Sequence, residues 1–398
     1  MVKTKFLCEA KNKKEKNSKY YQFNIYKTLI LFLTLKTFSA TGGIEKVSRV
    51  AGMAINEYAE AHQEKLSVIS MHDKKLPTTK PYFPSSVFIG MAAKRIAFII
   101  RAWRQGIRSR VVVLSHINLL LPGYLIKFFS GKTKLVLIAH GIEVWQPLSP
   151  FKQRMLKAVD LMLPVSHFTK EKMKLLFHLP EEKLQVLNNC LDPFLPTPAT
   201  EEERINWRSK YQLKDDDRVL MTLSRLSAKE KNKGYDKVLE SIRELRPLFP
   251  NLKYVFVGKY DEEEKNRVEQ LAVSLGISDA LIFTGFVPDS ELAFYYNMAD
   301  VYIMPSEKEG FGITFIEAMY YHLPVIAGNR DGTTDALANG QLGTLVDPRS
   351  QEAITAAIHK VFTNLSAFVP DRNLLMERFS YEVYKDKWKS VLGLSNPK

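Results

Sequence analysis

Cysteine is nearly absent from this chain: Cys8 and Cys190 are the only two in 398 residues. One lies in a polar stretch and the other in a loop-like one. No disulfide framework is indicated, and a reducing, cytoplasmic setting fits. Long apolar runs are missing as well, and nothing approaches the roughly 18–20 residues a membrane-spanning helix needs. Low-complexity tracts are lacking, and no Cys/His cluster has metal-ligand spacing, so no metal is expected. Acidic residues are scarce in one half only. Residues 1–200 carry 13 Asp and Glu against 31 Lys and Arg, whereas residues 201–398 carry 30 against 26, and the whole chain stands at +14. Solubility alone would not segregate charge in this way. The first half is therefore expected to meet something anionic: a membrane, a nucleic acid or a polyanionic acceptor.

What is present is a globular composition, 45% hydrophobic and 25% charged, at a length that suits two domains. Short apolar runs alternate with amphipathic stretches, the signature of parallel α/β units. Strand-like runs in the first half are LILFLTL, KLSVISM, RVVVLSH, KLVLIAH and LMLPVS, with helix-like segments near 44–60, 91–105, 118–129 and 167–177. The second half repeats the rhythm with VLMTLS, LKYVFVG, ALIFTG, DVYIMP and PVIAG, and helices near 235–247, 261–275, 289–298, 312–321 and 350–363. LDPFLPTPATEEE, residues 191–203, has three prolines and no periodicity, and reads as the linker. The expected division is a basic, disordered extension over 1–27, a Rossmann-like domain over 28–195, and a second Rossmann-like domain over 204–375. A C-terminal helix within 376–398 is free to cross back to the first domain. A rival reading of the N-terminus, a signal peptide, draws on the basic residues before TLILFLTL. Lys36 interrupts that run, and a buried first strand accounts for it better.

Four elements carry chemistry. In SEKEGFGITFIEAM a strand ends at Pro305, a glycine turn follows, and a helix begins near Gly312. Free N–H groups and the helix dipole there suit a diphosphate, and Gly310 and Gly312 let the backbone approach closely. Glu309 precedes the helix and Glu317 lies just over one turn into it, placed to reach hydroxyls such as those of a ribose. In LSRLSAKEKNKGYD, Arg225 follows a strand end and Lys233 precedes a glycine and a helix; together they can neutralise a leaving diphosphate, with Lys231 as a rival to Lys233. Gly42 and Gly43 follow the first strand, where a tight turn without ligand is the commoner case. His140 precedes Gly141 at another strand end, a setting that His116 and His167 share in part.

Together these elements resemble the retaining glycosyltransferases of family 4, whose α/β, GT-B architecture sets two Rossmann-like domains face to face across a cleft. The resemblance covers about residues 28–392. It puts the family's Glu-x7-Glu pattern on Glu309 and Glu317, implying that Glu309 meets the donor sugar and Glu317 the ribose. It further implies that Arg225 and Lys233 hold the diphosphate with the amides of Phe311, Gly312 and Ile313. The family's Gly-Gly-x-Glu turn falls on Gly42, Gly43 and Glu45, its histidine on His140, and the loop beside the base on Phe286 and Val287. The Arg-to-Lys interval is longer than the family's commonest form. The activity implied is retaining, metal-independent transfer from a nucleoside-diphosphate sugar to an acceptor hydroxyl in polysaccharide or glycolipid assembly, without a bound cofactor.

The acceptor, a glycan or lipid-linked glycan, is expected on the first domain. MAAKRIAFIIRAWRQGIRSR, residues 91–110, mixes Ile, Phe and Trp with six basic residues. As a helix it suits the anionic inner face of a membrane, unless its apolar side is simply core. No recognition motif accompanies the charge, so nucleic acid is not expected. An epimerase or hydrolase with the same cleft is the rival enzyme. A polyanion-binding non-enzyme is the other rival, though it would have no need of both phosphate cations and the carboxylate pair.

Overall fold

A computed structural model describes residues 29–76, 78–228 and 230–393. The extension expected over residues 1–27, the last five residues and the side chain of Lys231 lie outside the described residues. Two six-stranded sheets form, parallel throughout. The first contains β1 (Leu29–Thr34), β2 (Lys65–Ser70), β3 (Phe88–Gly90), β4 (Val111–Leu114), β5 (Lys134–Ala139) and β6 (Leu161–Pro164) in the order β3-β2-β1-β4-β5-β6. The second contains β7 (Arg218–Leu223), β8 (Leu252–Val257), β9 (Leu281–Gly285), β10 (Val301–Met304), β11 (Val325–Gly328) and β12 (Thr344–Val346), ordered β12-β11-β10-β7-β8-β9. Counted within its own domain, each sheet has the doubly wound order 3-2-1-4-5-6. Its topological switch point falls between the first and fourth strands, where ligands sit beyond the carboxyl ends. This is the GT-B architecture, in α/β form.

The strands are apolar without interruption because both faces of each sheet are covered. Alternate residues of β1 divide accordingly. Ile30 and Phe32 join a core that runs on into the second domain, while Leu31 and Leu33 join a core beneath helices Arg95–Gly106, Leu120–Phe129 and Pro150–Lys157. In the second sheet, Leu220, Tyr254 and Ile303 pack under helices Tyr235–Leu245 and Gln351–Thr363. The shared core takes Met221, Tyr302 and Met304.

Two stretches of chain pass between the domains. One is the segment near Leu191. The other follows helix Arg372–Phe379 into helix Tyr381–Gly393, which packs on helix Gly43–Ala61 of the first domain through fully buried Trp388, Val391 and Leu392. Arg110 donates to the Leu392 carbonyl at 2.8 Å, fixing the end of that last helix.

Several elements depart from the sequence reading. The helix expected from residue 91 starts at Arg95, because Met91 and Ala92 hydrogen-bond to Ser70 and Asp73 and turn the chain first. Glu201–Glu203, assigned to the linker, open a helix, Glu201–Lys210. Helices Pro150–Lys157 and Arg372–Phe379 and the three-residue strands β3 and β12 were also not anticipated.

Candidate functional site

The cleft between the two sheets is built from strand ends at both switch points. On the second domain, β7 ends at Leu223 and delivers Ser224 and Arg225, the latter exposed at the cleft mouth. Beside it β10 ends at Met304 and the chain enters the glycine turn. Gly312 sits at φ +86°, a left-handed conformation that glycine adopts without strain, and caps helix Ile313–Tyr320 without any side-chain cap. The first N–H groups of that helix are therefore left for a ligand. Phe311 is core, packed edge-on against Phe379, so only its backbone belongs to the site. On the first domain, Gly42 precedes helix Gly43–Ala61, again with no side-chain cap. Gly42, Gly43, Arg225, Val287, Ile313 and Glu317 line one cavity.

Glu309, Lys233, Gly310 and His140 form an adjoining cluster. Lys233 Nζ lies 2.5 Å from Glu309 Oε2. Burial pulls the Lys233 ammonium down, yet the charge and hydrogen bond of Glu309 outweigh it, and the net shift is upward. This lysine is therefore a permanent cation. The backbone of Gly310 meets that of His140 across the domain boundary so closely that a Cβ would run into the His140 carbonyl. The His140 ring faces away from this contact: Nε2–H donates to the Ser115 carbonyl at 2.6 Å, while the His140 N–H donates to Glu143 at 2.6 Å. His116 packs beside it, with its pKa lowered by burial. His167 lies elsewhere, paired with Asp335 at 2.7 Å across the interface.

Three features escaped the sequence reading. Asp331 is buried and accepts from Ser306 Oγ (2.9 Å), the Glu309 N–H (2.7 Å), the Thr333 N–H (3.0 Å) and Thr333 Oγ1 (2.7 Å). It thereby moors the loop that carries Glu309. Asp73 does the same for the loop ahead of Gly42, accepting from the N–H groups of Thr37 (2.7 Å), Phe38 (3.1 Å) and Ser39 (2.6 Å). Each aspartate stands three residues past the end of the strand neighbouring its loop, β11 and β2 respectively, and that position was the available signal. The third is Lys46, in the first turn of helix Gly43–Ala61, whose Nζ reaches Glu317 Oε1 at 2.5 Å.

The arrangement can hold an anion at two uncapped helix ends with Arg225 and Lys233 nearby, and can offer carboxylates to neighbouring hydroxyls. Residues 203–378 match the family model described as glycosyl transferases group 1. The GDP-mannose-dependent alpha-(1-6)-phosphatidylinositol monomannoside mannosyltransferase of Mycolicibacterium smegmatis is 31% identical over 242 residues, covering 58% of this chain and 61% of that protein. The alpha-monoglucosyldiacylglycerol synthase of Acholeplasma laidlawii is 28% identical over 169 residues, 42% of this chain and 41% of that one. The chain thus spans about three fifths or less of the length of these curated relatives. Among solved structures, a glycosyltransferase from Rickettsia africae superposes with a TM-score of 0.74 at 18% identity over 93% of this chain and 99% of that one. Anabaena HepE, solved with UDP and glucose, gives 0.73 at 17% identity over 92% and 99%. Their shared fold is that of both domains together. Residues 203–378, in the second domain, are thus similar to the group 1 glycosyl transferases, and the GT-B fold spans both domains.

Proposed function

We propose that the protein is a retaining, metal-independent glycosyltransferase that moves a hexose from a nucleoside-diphosphate sugar to an acceptor hydroxyl, in glycolipid or surface-polysaccharide assembly. The observation that carries the reading is the meeting, at one switch point, of Arg225, the Lys233–Glu309 pair and the uncapped N-terminus of helix Ile313–Tyr320. The costly event in such a transfer is charge building on the departing diphosphate as its bond to the anomeric carbon breaks. Preorganised cations and a helix N-terminus offset that charge. Arg225, Lys233 and the amides of Phe311, Gly312 and Ile313 take this role. Glu309 engages the sugar hydroxyls, Glu317 the ribose, and the loop at Phe286 and Val287 the base. The His140 carbonyl and the turn at Gly42 and Gly43 close the sugar subsite from the first domain. The acceptor attacks from the side the diphosphate leaves, and its hydroxyl proton passes to the leaving phosphate oxygen. No cofactor takes part.

The acceptor side is placed on the first domain, against an anionic membrane surface. Residues 74–142 contain twelve Lys and Arg and no Asp or Glu, so nothing acidic in that stretch repels lipid phosphates. Helices Arg95–Gly106 and Leu120–Phe129 pack together through Trp103 and Phe129 and expose Ile96, Ile100 and Phe128, while Phe98 and Ala102 face the core. One side of helix Arg95–Gly106 is thus core, and the membrane reading of the stretch 91–110 rests on its exposed side. Among the described residues no helix is long and apolar enough to cross a membrane.

A mass-spectrometric screen of UDP-, GDP- and ADP-sugars for binding, hydrolysis and transfer tests the reading. One donor is expected to transfer, with activity that survives EDTA and is abolished by Glu309→Ala in a folded protein. Conversion of the sugar nucleotide without any acceptor would instead establish an epimerase. A glycosyl ester trapped on Glu309 would overturn the same-side route.

A further inference from the structure

Glu317 is the most enclosed group of the cleft. Its side chain is 0% exposed, and each carboxylate oxygen has its own donor: Oε1 takes Lys46 Nζ at 2.5 Å, and Oε2 takes the Tyr296 hydroxyl at 3.0 Å. Tyr296 belongs to the same domain as Glu317. Lys46 does not: it stands on helix Gly43–Ala61 of the first domain and reaches across the interface. Two donors, one per oxygen, fix both the rotamer and the plane of the carboxylate. An ionised carboxylate has about four lone-pair sites, so two acceptor positions remain for a ligand. Lys46, Gly43, Arg225 and Glu317 line the same cavity.

We propose that Lys46 is a positioning residue for nucleoside recognition, aiming the Glu317 carboxylate at the ribose hydroxyls so that this subsite of the second domain is completed by the first. The inference rests on the reading of Glu317 as the ribose acceptor. Its chemistry is consistent on both sides of the pair. Burial pulls the Lys46 ammonium down, but the charge and hydrogen bond of Glu317 more than offset it and hold its pKa above the ordinary value. Burial also pushes the Tyr296 phenol well up, so it remains a donor. Neither partner can relax into solvent, because the Lys46 side chain is only 14% exposed. Removing the cation leaves a buried carboxylate with one of its two fixing donors. Affinity for the nucleoside therefore becomes linked to the docking of the domains: if they part, the ribose acceptor loses its alignment.

The test compares a nucleoside diphosphate, chosen from UDP, GDP and ADP as the tightest binder, with its 2′,3′-dideoxy counterpart by calorimetry. Hydrogen bonds to a charged group are worth roughly 1.5–3 kcal/mol, so the natural protein is expected to prefer the ribonucleotide by about 10–100-fold. Lys46→Met should shrink that preference at least about fivefold while the dideoxy compound binds nearly as before. Lys46→Arg should restore most of it. Lys46→Gln, shorter and neutral, carries the comparison should the methionine variant not fold, and should shrink the preference likewise. An unchanged preference in the neutral variant would overturn the proposal. So would tighter ribonucleotide binding, which would make Lys46 a plug rather than a guide. Glu317→Gln separates the two levels. If it loses the preference and the neutral Lys46 variant does not, only the role of Lys46 falls. If Glu317→Gln keeps the preference, the ribose reading falls and takes this inference with it.

Discussion

Asp331 shows how much of the site is decided by single buried groups. Burial pushes its carboxyl up to about 6, against the hydrogen bonds from Thr333, Ser306 and the Glu309 N–H that favour the ionised form. Between pH 6 and the ordinary carboxylate value near 3.8, the native state binds a proton that the unfolded chain does not. The contribution of this group to stability is therefore fully present at low pH and is lost as pH rises through about 4 to 6, by roughly 2–3 kcal/mol. Asp331→Asn should be less stable at every pH but lack this slope, which urea unfolding at pH 4, 5 and 7 would show. Because the loop of Glu309 hangs on Asp331, Asp331→Ala should also lower kcat about 10–100-fold, read by steady-state kinetics. Legibility at this scale follows sequence distance. Glu309, Gly310, Gly312 and Glu317 could be singled out because strand, glycine turn and helix start lie within a dozen residues. Lys46 could not, since its partner is 271 residues away. Asp331 was hidden for the same reason, holding a loop 22 residues upstream.

At the scale of elements, helix Glu201–Lys210 is instructive. Its only deeply buried residue is Arg208, which donates to the carbonyls of Met298, Lys214 and Asp217 rather than contributing an apolar stripe. Periodicity therefore had nothing to detect, and the prolines before it suggested a linker. The legible signal was local: Thr200 and Glu203 form a reciprocal capping box. Thr200→Ala should cost about 1 kcal/mol of stability in chemical denaturation and leave transfer unchanged. The glycine turn behaves differently. Gly310 is required by the approach of His140 from the other domain, so Gly310→Ala must displace one loop or the other. A misplacement of about 1 Å can cost roughly 100-fold. A loss of that size is expected in kcat/KM, with far-UV circular dichroism unchanged.

For the whole molecule, the parallel α/β class and both domains were readable because strands covered on two faces are apolar throughout. The short strands β3 and β12 were not, three residues being too few to show a pattern. Charge segregation was also plain in the sequence, whereas the exposed side of helix Arg95–Gly106 had to be seen. The first domain should sediment with anionic vesicles more strongly than with neutral ones. Ile96→Ser with Phe128→Ser should weaken that binding, and added salt should weaken it further as the Debye length shortens. Binding indifferent to lipid charge would remove the membrane from the account.

The two crossings between the domains run side by side, the Leu191 N–H donating to the Phe379 carbonyl at 2.8 Å. The polypeptide therefore returns to the domain it left, and helix Tyr381–Gly393 belongs to the second fragment by sequence but to the first by packing. Cutting the backbone once, between Pro196 and Thr200, would yield two pieces that still clasp each other through Trp388, Val391 and Leu392. Such a nicked protein should elute as one particle in gel filtration, and the two pieces should come together again when made separately.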